Sequence, residues 1–164
     1  YMQIIHDLNA ITKPYKNAVV TTGNFDGVHI GHQALFHEVI ERADTIEGTS
    51  VAITFEPHPI RVLKQNGHPP LITLLDQKTE LIESTGVDVL IVIPFSTEFA
   101  ALSAREFVAD ILVRKIGMSA ASSRRPMPSP VLPEPVMPIM AACVVRSLES
   151  YRTGSSVSVC ASMS

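Results

Sequence analysis

Between residues 18 and 117, short uninterrupted apolar runs take turns with apolar positions at helical spacing. The run AVVTT, Ala18–Thr22, is β-branched and closed by Gly23, which predicts a short buried strand. Beyond Gly31, the residues Leu35, Phe36, Val39, Ile40 and Ala43 recur three and four apart, a single apolar stripe on a helix running to about Asp44. Glu47 and Gly48 close it. Val51, Ile53 and Phe55, with Ala52 and Thr54 between them, predict a second strand. Pro57 and Pro59 carry no amide for a ladder, so EPHP at 56–59 is a strand-end loop. After a Gly/Pro-rich link at 65–70, Thr73 is placed to cap a helix carrying Leu74, Leu81 and Ile82, with Gly86 to end it. DVLIVI at 88–93 predicts a third buried strand, broken at Pro94.

Ser103 and Glu106 make a capping box, the strongest local signature in the chain. Phe107, Val108, Ile111 and Leu112 give that helix its buried face, Arg114 and Lys115 suit its negative end, and Gly117 stops it. Three strand–helix units with short links require right-handed crossovers. The fold class is therefore α/β, a Rossmann-like, mainly parallel sheet with helices on both faces. Such sheets bind ligands beyond the carboxyl ends of their strands, where both EPHP and the glycine-containing loop after Thr22 lie. The pattern ends at Met118. Six prolines fall within 126–138, so neither helix nor central strand is expected there, and 143–164 has the Ser-rich composition of a linker or tail. Residues 1–117 are expected to form the core and 118–164 a segment apart from it.

The chain's 164 residues suit one domain that buries a core without disulfides. A net charge of -3 lacks the basic surface that nucleic acid or an anionic membrane demands, which leaves a small molecule as the expected partner. No apolar stretch approaches the roughly 20 residues of a bilayer span, and the first residues carry no basic and apolar leader, so a cytoplasmic protein is expected. Cys143 and Cys160 share no metal or redox spacing.

TTGNFDGVHIGHQALF at 21–36 places a glycine loop between a strand and a helix start. That arrangement suits phosphate: glycines admit the anion close to the backbone, while free amides and the positive helix end point at it. Neither G-x-x-x-x-G-K-[ST] nor G-x-G-x-x-G is present, so His29 and His32 would supply the cationic or hydrogen-bonding edge. Three readings of the pair compete. They are polar residues of a loop and helix start; they bind a metal, though no third ligand stands at a diagnostic spacing; or they handle phosphate, which their place after a strand and Phe-Asp-Gly favours.

GNFDGVHIGHQ at 23–33 resembles the signature of the nucleotidyltransferase superfamily, whose His-x-x-His motif binds the nucleoside triphosphate. TFEPHP at 54–59, LLDQKTELIESTGVDVLIVIPF at 74–95 and LSAREFVADILVRKIG at 102–117 resemble the FMN adenylyltransferase module of bacterial FAD synthetases. The likeness spans residues 15 to 117 and implies a HIGH-type nucleotidylyltransferase fold. It also implies one reaction, in which an FMN phosphate oxygen attacks the α-phosphorus of ATP, accompanied by Mg²⁺, to give FAD and pyrophosphate. By the same resemblance His29 and His32 are the catalytic pair at the ATP phosphates. Gly23, Phe25, Asp26 and Gly31 lie on the ATP side, and Phe55, Pro57, His58 and Pro59 on the flavin side. Asp26 either orients a loop amide, a histidine or a Mg²⁺ shell, or simply forms the turn before Gly27. Phe55 stands equally as core, and Arg61 as a solvated loop residue. A transferase of the same superfamily with another phosphate acceptor, and a nucleotide-binding module without turnover, remain beside the FMN reading. After Gly117 the chain departs from the family. The resemblance implies a strand, a Gly-x-x-Phe-x-Phe-Gly-like loop and a later Ser-Ser/Thr-x-x-Arg motif, where this chain has MSAASSRRPMPSP and, in the wrong order, Arg152, Ser155 and Ser156. A divergent relative, a shortened chain or a reading-frame slip near Met118 would each produce that break, and the chain as written is expected to turn over weakly. No segment of it resembles a riboflavin kinase domain.

Overall fold

A computed structural model describes residues 1–63 and 70–121. His68, both cysteines, the proline-rich stretch and Arg152, Ser155 and Ser156 lie outside them. Among the described residues five strands run parallel: β1 (Gln3–Ile5), β2 (Ala18–Thr22), β3 (Ser50–Glu56), β4 (Val89–Pro94) and β5 (Met118–Ala121). They are ordered β1-β4-β3-β2-β5. The chain steps from β2 to β3 to β4 in one direction and returns to place β5 on the far side of β2. The order reverses at β2, so the crevice beyond the carboxyl ends of β2 and β5 is the natural ligand position of this sheet.

The central strands are buried on both faces, as parallel strands between two helix layers must be. Val51, Ile53 and Phe55 of β3 and Val89, Ile91 and Ile93 of β4 pack on one face against Phe107, Val108, Leu112 and Ile116. Ala52, Leu90 and Val92 point the other way, toward Phe36 of α1 (Ile30–Thr45) and Ile82. At the amino ends of β3 and β4, Asp88 accepts hydrogen bonds from the Ser50 amide at 2.8 Å and hydroxyl at 2.6 Å, and its own amide donates to Ser50 Oγ at 2.9 Å. That exchange pins the register of the two strands at the end remote from the loops.

Besides β1, which no local pattern predicts, four features differ from the sequence reading. A short helix, α2 (Pro59–Leu63), begins at the second proline of EPHP, because a proline at the first helical position gives up no hydrogen bond. The next helix, α3 (Leu75–Glu83), is capped from Leu74, whose amide donates to Gln77 Oε1 at 3.1 Å. Its inward face carries Lys78 and Ile82, while Leu74 and Leu81 are exposed. A short α4 (Thr97–Ala100) precedes α5 (Ala104–Glu106), where Ser103 and Glu106 exchange the expected capping-box bonds at 2.9 and 3.2 Å. α5 then continues as a π-helical stretch, Phe107–Ile116. Finally, Met118–Ala121 is a strand although its composition carries no strand signal, because pairing with β2 satisfies its backbone.

Candidate active site

The loop after β2 is bent by residues ill suited to bending. Phe25 has φ 49° and Val28 φ 39°, both left-handed, and both side chains are buried. Left-handed backbone without glycine costs on the order of 1–3 kcal/mol per residue and persists only where packing overrides it. Here the Phe25 ring, 1% exposed, lies 4.8 Å from that of Phe36 and edge-on to His32 at 5.4 Å. Gly23 makes room for it: a Cβ there would stand 2.9 Å from the ring. The Gly23 amide meanwhile donates to Ile53 O at 3.0 Å, carrying the ladder one residue past β2.

His29 caps α1 and His32 sits in its first turn. Their rings stack with centroids 3.6 Å apart and planes 21° from parallel. Gly31 permits this, since a Cβ at that position would meet the His29 ring at 3.2 Å. His29 is exposed and His32 half-buried. Burial first, and the neighbouring His29 second, hold the His32 pKa down at about 4, with Asp26 opposing. His32 is therefore a neutral imidazole at pH 7, and its buried Nδ1 has no hydrogen-bond partner among the described residues. A base whose folded pKa lies below its unfolded value of about 6.5 contributes stability above that value and forfeits it as pH falls toward the folded one. The chain is thus expected to lose thermal stability between pH 6.5 and 4 more steeply than His32→Gln. Parallel melting-temperature profiles for the two would contradict the assignment.

Asp26 accepts from the amides of Ile72 (3.0 and 3.1 Å) and Thr73 (3.0 Å) and from the Thr73 hydroxyl (3.2 Å). Thr73 Oγ1 in turn accepts from the Gly27 amide at 3.0 Å. Burial alone would raise the Asp26 carboxyl, but these donors, with His58, outweigh it and hold the pKa below its usual value. Asp26 thus ties the glycine loop to the segment that leads into α3. Thr73, expected to cap a helix, serves the glycine loop instead.

From the neighbouring strand, Glu56 ends β3, Pro57 is exposed, His58 is half-buried and Pro59 is buried at the start of α2. Burial, followed by the charge of Lys78, lowers the His58 pKa, while Asp26 raises it. The EPHP turn and the glycine loop thus share one electrostatic environment. Phe55 lies in the core cluster on the other face of the sheet from Phe25, 1% exposed, its ring 5.8 Å from Phe95 and 5.9 Å from Phe99. Arg61 is exposed on α2. The sequence reading missed Lys78, Thr54 and Asn24, which join the two loops from below. The signal for Lys78 was present: it occupies the stripe of α3 four residues before Ile82, where an apolar residue belongs. No helix among the described residues is long and apolar enough to cross a membrane.

The family model for FAD synthetase matches residues 11–122, ending one residue past β5. The bifunctional riboflavin kinase/FMN adenylyltransferase of Buchnera aphidicola subsp. Acyrthosiphon pisum is 36% identical over 115 residues, 70% of this chain and 37% of that protein. The proteins of the same name from Escherichia coli (strain K12), 33% identical over 116 residues, and Bacillus subtilis (strain 168), 35% over 113, are covered to 37% and 36% of their lengths, by 70% and 68% of this chain. The chain therefore spans little more than a third of these relatives. Among solved structures, that of a macrolide-efflux protein from Streptococcus pneumoniae superposes with a TM-score of 0.63 at 28% identity, covering 74% of this chain and 47% of its own. Over residues 11–122, which hold β2 to β5, the glycine loop and the EPHP turn, this chain belongs to the FAD synthetase family.

Proposed function

We propose that the chain is an FMN adenylyltransferase, moving AMP from ATP to the phosphate of FMN. The stacked His29–His32 pair carries the proposal. It stands at the amino end of a 16-residue helix, beyond the carboxyl end of β2, and Asp26 and Lys78 act on both its His32 and His58 of the EPHP turn. An FMN phosphate oxygen attacks the α-phosphorus of ATP; that bond forms as the bond from the α-phosphorus to the bridging oxygen breaks, and pyrophosphate leaves with the electron pair. The chemistry needs no protein nucleophile. It needs alignment and donors at the developing charge, in a place sheltered from water. The amides opening α1, the exposed His29 and the neutral His32 supply donors, and Gly23, Phe25, Asp26 and Gly31 shape the loop that holds the triphosphate. Pro57, His58 and Pro59 form the flavin edge, with Phe55 as the wall behind it.

Among the described residues no group of three or more His, Cys, Asp or Glu gathers to hold a cation, and the Asp26 oxygens are engaged by amides. Mg²⁺ fits this site as the partner of the triphosphate oxygens, entering with ATP.

Incubating the 164-residue chain with FMN, ATP and Mg²⁺ should yield FAD and pyrophosphate in equal amounts. Pyrophosphate released with phosphopantetheine or nicotinamide mononucleotide in place of FMN, and not with FMN, would reassign the acceptor. ATP bound by a folded chain that forms no product would reduce the function to nucleotide binding.

A further inference from the structure

Lys78 is 3% exposed, on the face of α3 that packs against the sheet. Its ammonium donates to Thr54 Oγ1 at 3.5 Å, and the fully buried Thr54 hydroxyl donates to the carbonyl of Asn24 at 3.2 Å. Three segments distant in sequence meet in this chain of bonds: α3, the end of β3, and the first residues of the glycine loop. An ammonium offers three donors, and the one long bond to a hydroxyl that it makes among the described residues is poor compensation for burying it. The charges around it come from each neighbouring segment: Asp26 from the glycine loop, His32 from α1, Glu56 from β3 and His58 from the turn that follows. Burial lowers the Lys78 pKa, while Glu56 and Asp26 oppose that. An apolar residue of the same shape would serve packing as well or better, since buried ionic groups are often stability-neutral or worse.

We propose that Lys78 is a positioning residue for adenylyl transfer: through Thr54 it fixes the Asn24 carbonyl, and with it the glycine loop, against the end of β3, and it sets its cation between the nucleotide and flavin halves of the site. The inference rests on the transfer reaction proposed above. Before substrate arrives the ammonium is underserved; two sets of phosphate oxygens converging nearby relieve it most when the reacting groups meet. The interaction therefore acts on kcat more than on KM.

The test uses the whole chain with Lys78→Met, Lys78→Arg, Thr54→Val and Thr54→Ser. Lys78→Met should lower kcat about a hundredfold with either KM changed less than threefold, and leave the melting temperature unchanged or higher. In the ligand-free protein the imidazole proton resonances of His32 and His58 should both titrate at higher pH in Lys78→Met than in the parent. Thr54→Val should lower kcat about tenfold without moving either titration, and Thr54→Ser should restore it. A Lys78→Met enzyme within threefold of the parent kcat overturns the inference, as does a raised KM at unchanged kcat, or unmoved titration of both histidines. If the parent chain forms no FAD, the proposed function fails by itself. The inference is then decided by the titrations and by the amide resonances of Asn24 and Asp26, which should shift in both Lys78→Met and Thr54→Val and overturn it if they do not.

Discussion

His32→Ala is expected to lower kcat for FAD formation by about a hundred- to a thousandfold, the loss typical of one donor at a developing oxyanion, roughly 2.7–4 kcal/mol. The half-buried imidazole is neutral at pH 7, so one of its ring nitrogens carries an N–H to donate. It also backs the His29 ring at 3.6 Å, and without it His29 loses the surface that fixes its plane. His29→Ala should therefore cost nearly as much, and the double variant little more than either single one, because residues acting as a unit are not additive. Binding of ATP should weaken far less than turnover. Folding stability should fall as well, since the substitution leaves a void beside Phe25, whose left-handed backbone the packing holds, so rates are compared on folded protein. Single-turnover measurements with purified variants decide it; a His32→Ala chain retaining a tenth of the parent rate would remove the pair from the chemistry.

Gly117→Ala should destabilise the chain by about 3 kcal/mol, from a left-handed penalty of roughly 1–2 and an overpacking penalty of roughly 1–3. Gly117 has φ 83°, and a Cβ there would stand 2.7 Å from the carbonyl oxygen of Tyr15 and 2.8 Å from Pro14 Cβ. Neither neighbour can yield cheaply. The Tyr15 amide is bonded to Ile116 O at 2.9 Å, and the Gly117 carbonyl accepts from Ala18 as β2 begins. Gly86 is the internal control: its φ is 90°, but the nearest atom to an added Cβ is 3.9 Å away, so Gly86→Ala should cost only the backbone penalty, about 1 kcal/mol. Urea denaturation of both variants measures the difference directly. Equal losses would mean that the close approach at Gly117 relaxes.

What was legible in the sequence was whatever is decided within a few residues. AVVTT, the alternation around Ile53 and the capping box at Ser103 carry their own periodicity or local hydrogen bonds, and each forms where that logic puts it. The glycine loop and EPHP were legible as motifs, and their convergence follows from the parallel order of β2 and β3. What escaped was decided at long range. β1 and β5 have three and four residues and exist because β4 and β2 offer edges to pair with. Thr73 looks like a helix cap until the unmet amide of Gly27, 46 residues earlier, is brought beside it. Phe25 and Val28 adopt left-handed backbone that nothing in their own chemistry prefers. Lys78 broke an apolar stripe, and only the fold shows which loops it reaches.

The bonds from Asp26 to Ile72 and Thr73 also order events in time. They join residues 46 and 47 positions apart, and the chain between them must first complete α1 and β3. Closing so long a loop is entropically costly until intervening contacts exist. A polypeptide emerging from the ribosome therefore carries its glycine loop and both histidines well before it carries the residues that anchor that loop. The loop acquires its final shape when the segment leading into α3 arrives to occupy the carboxylate. The anchoring of the loop thus waits on the middle of the chain rather than on its own residues, and it can be in place before β4 and β5 are made.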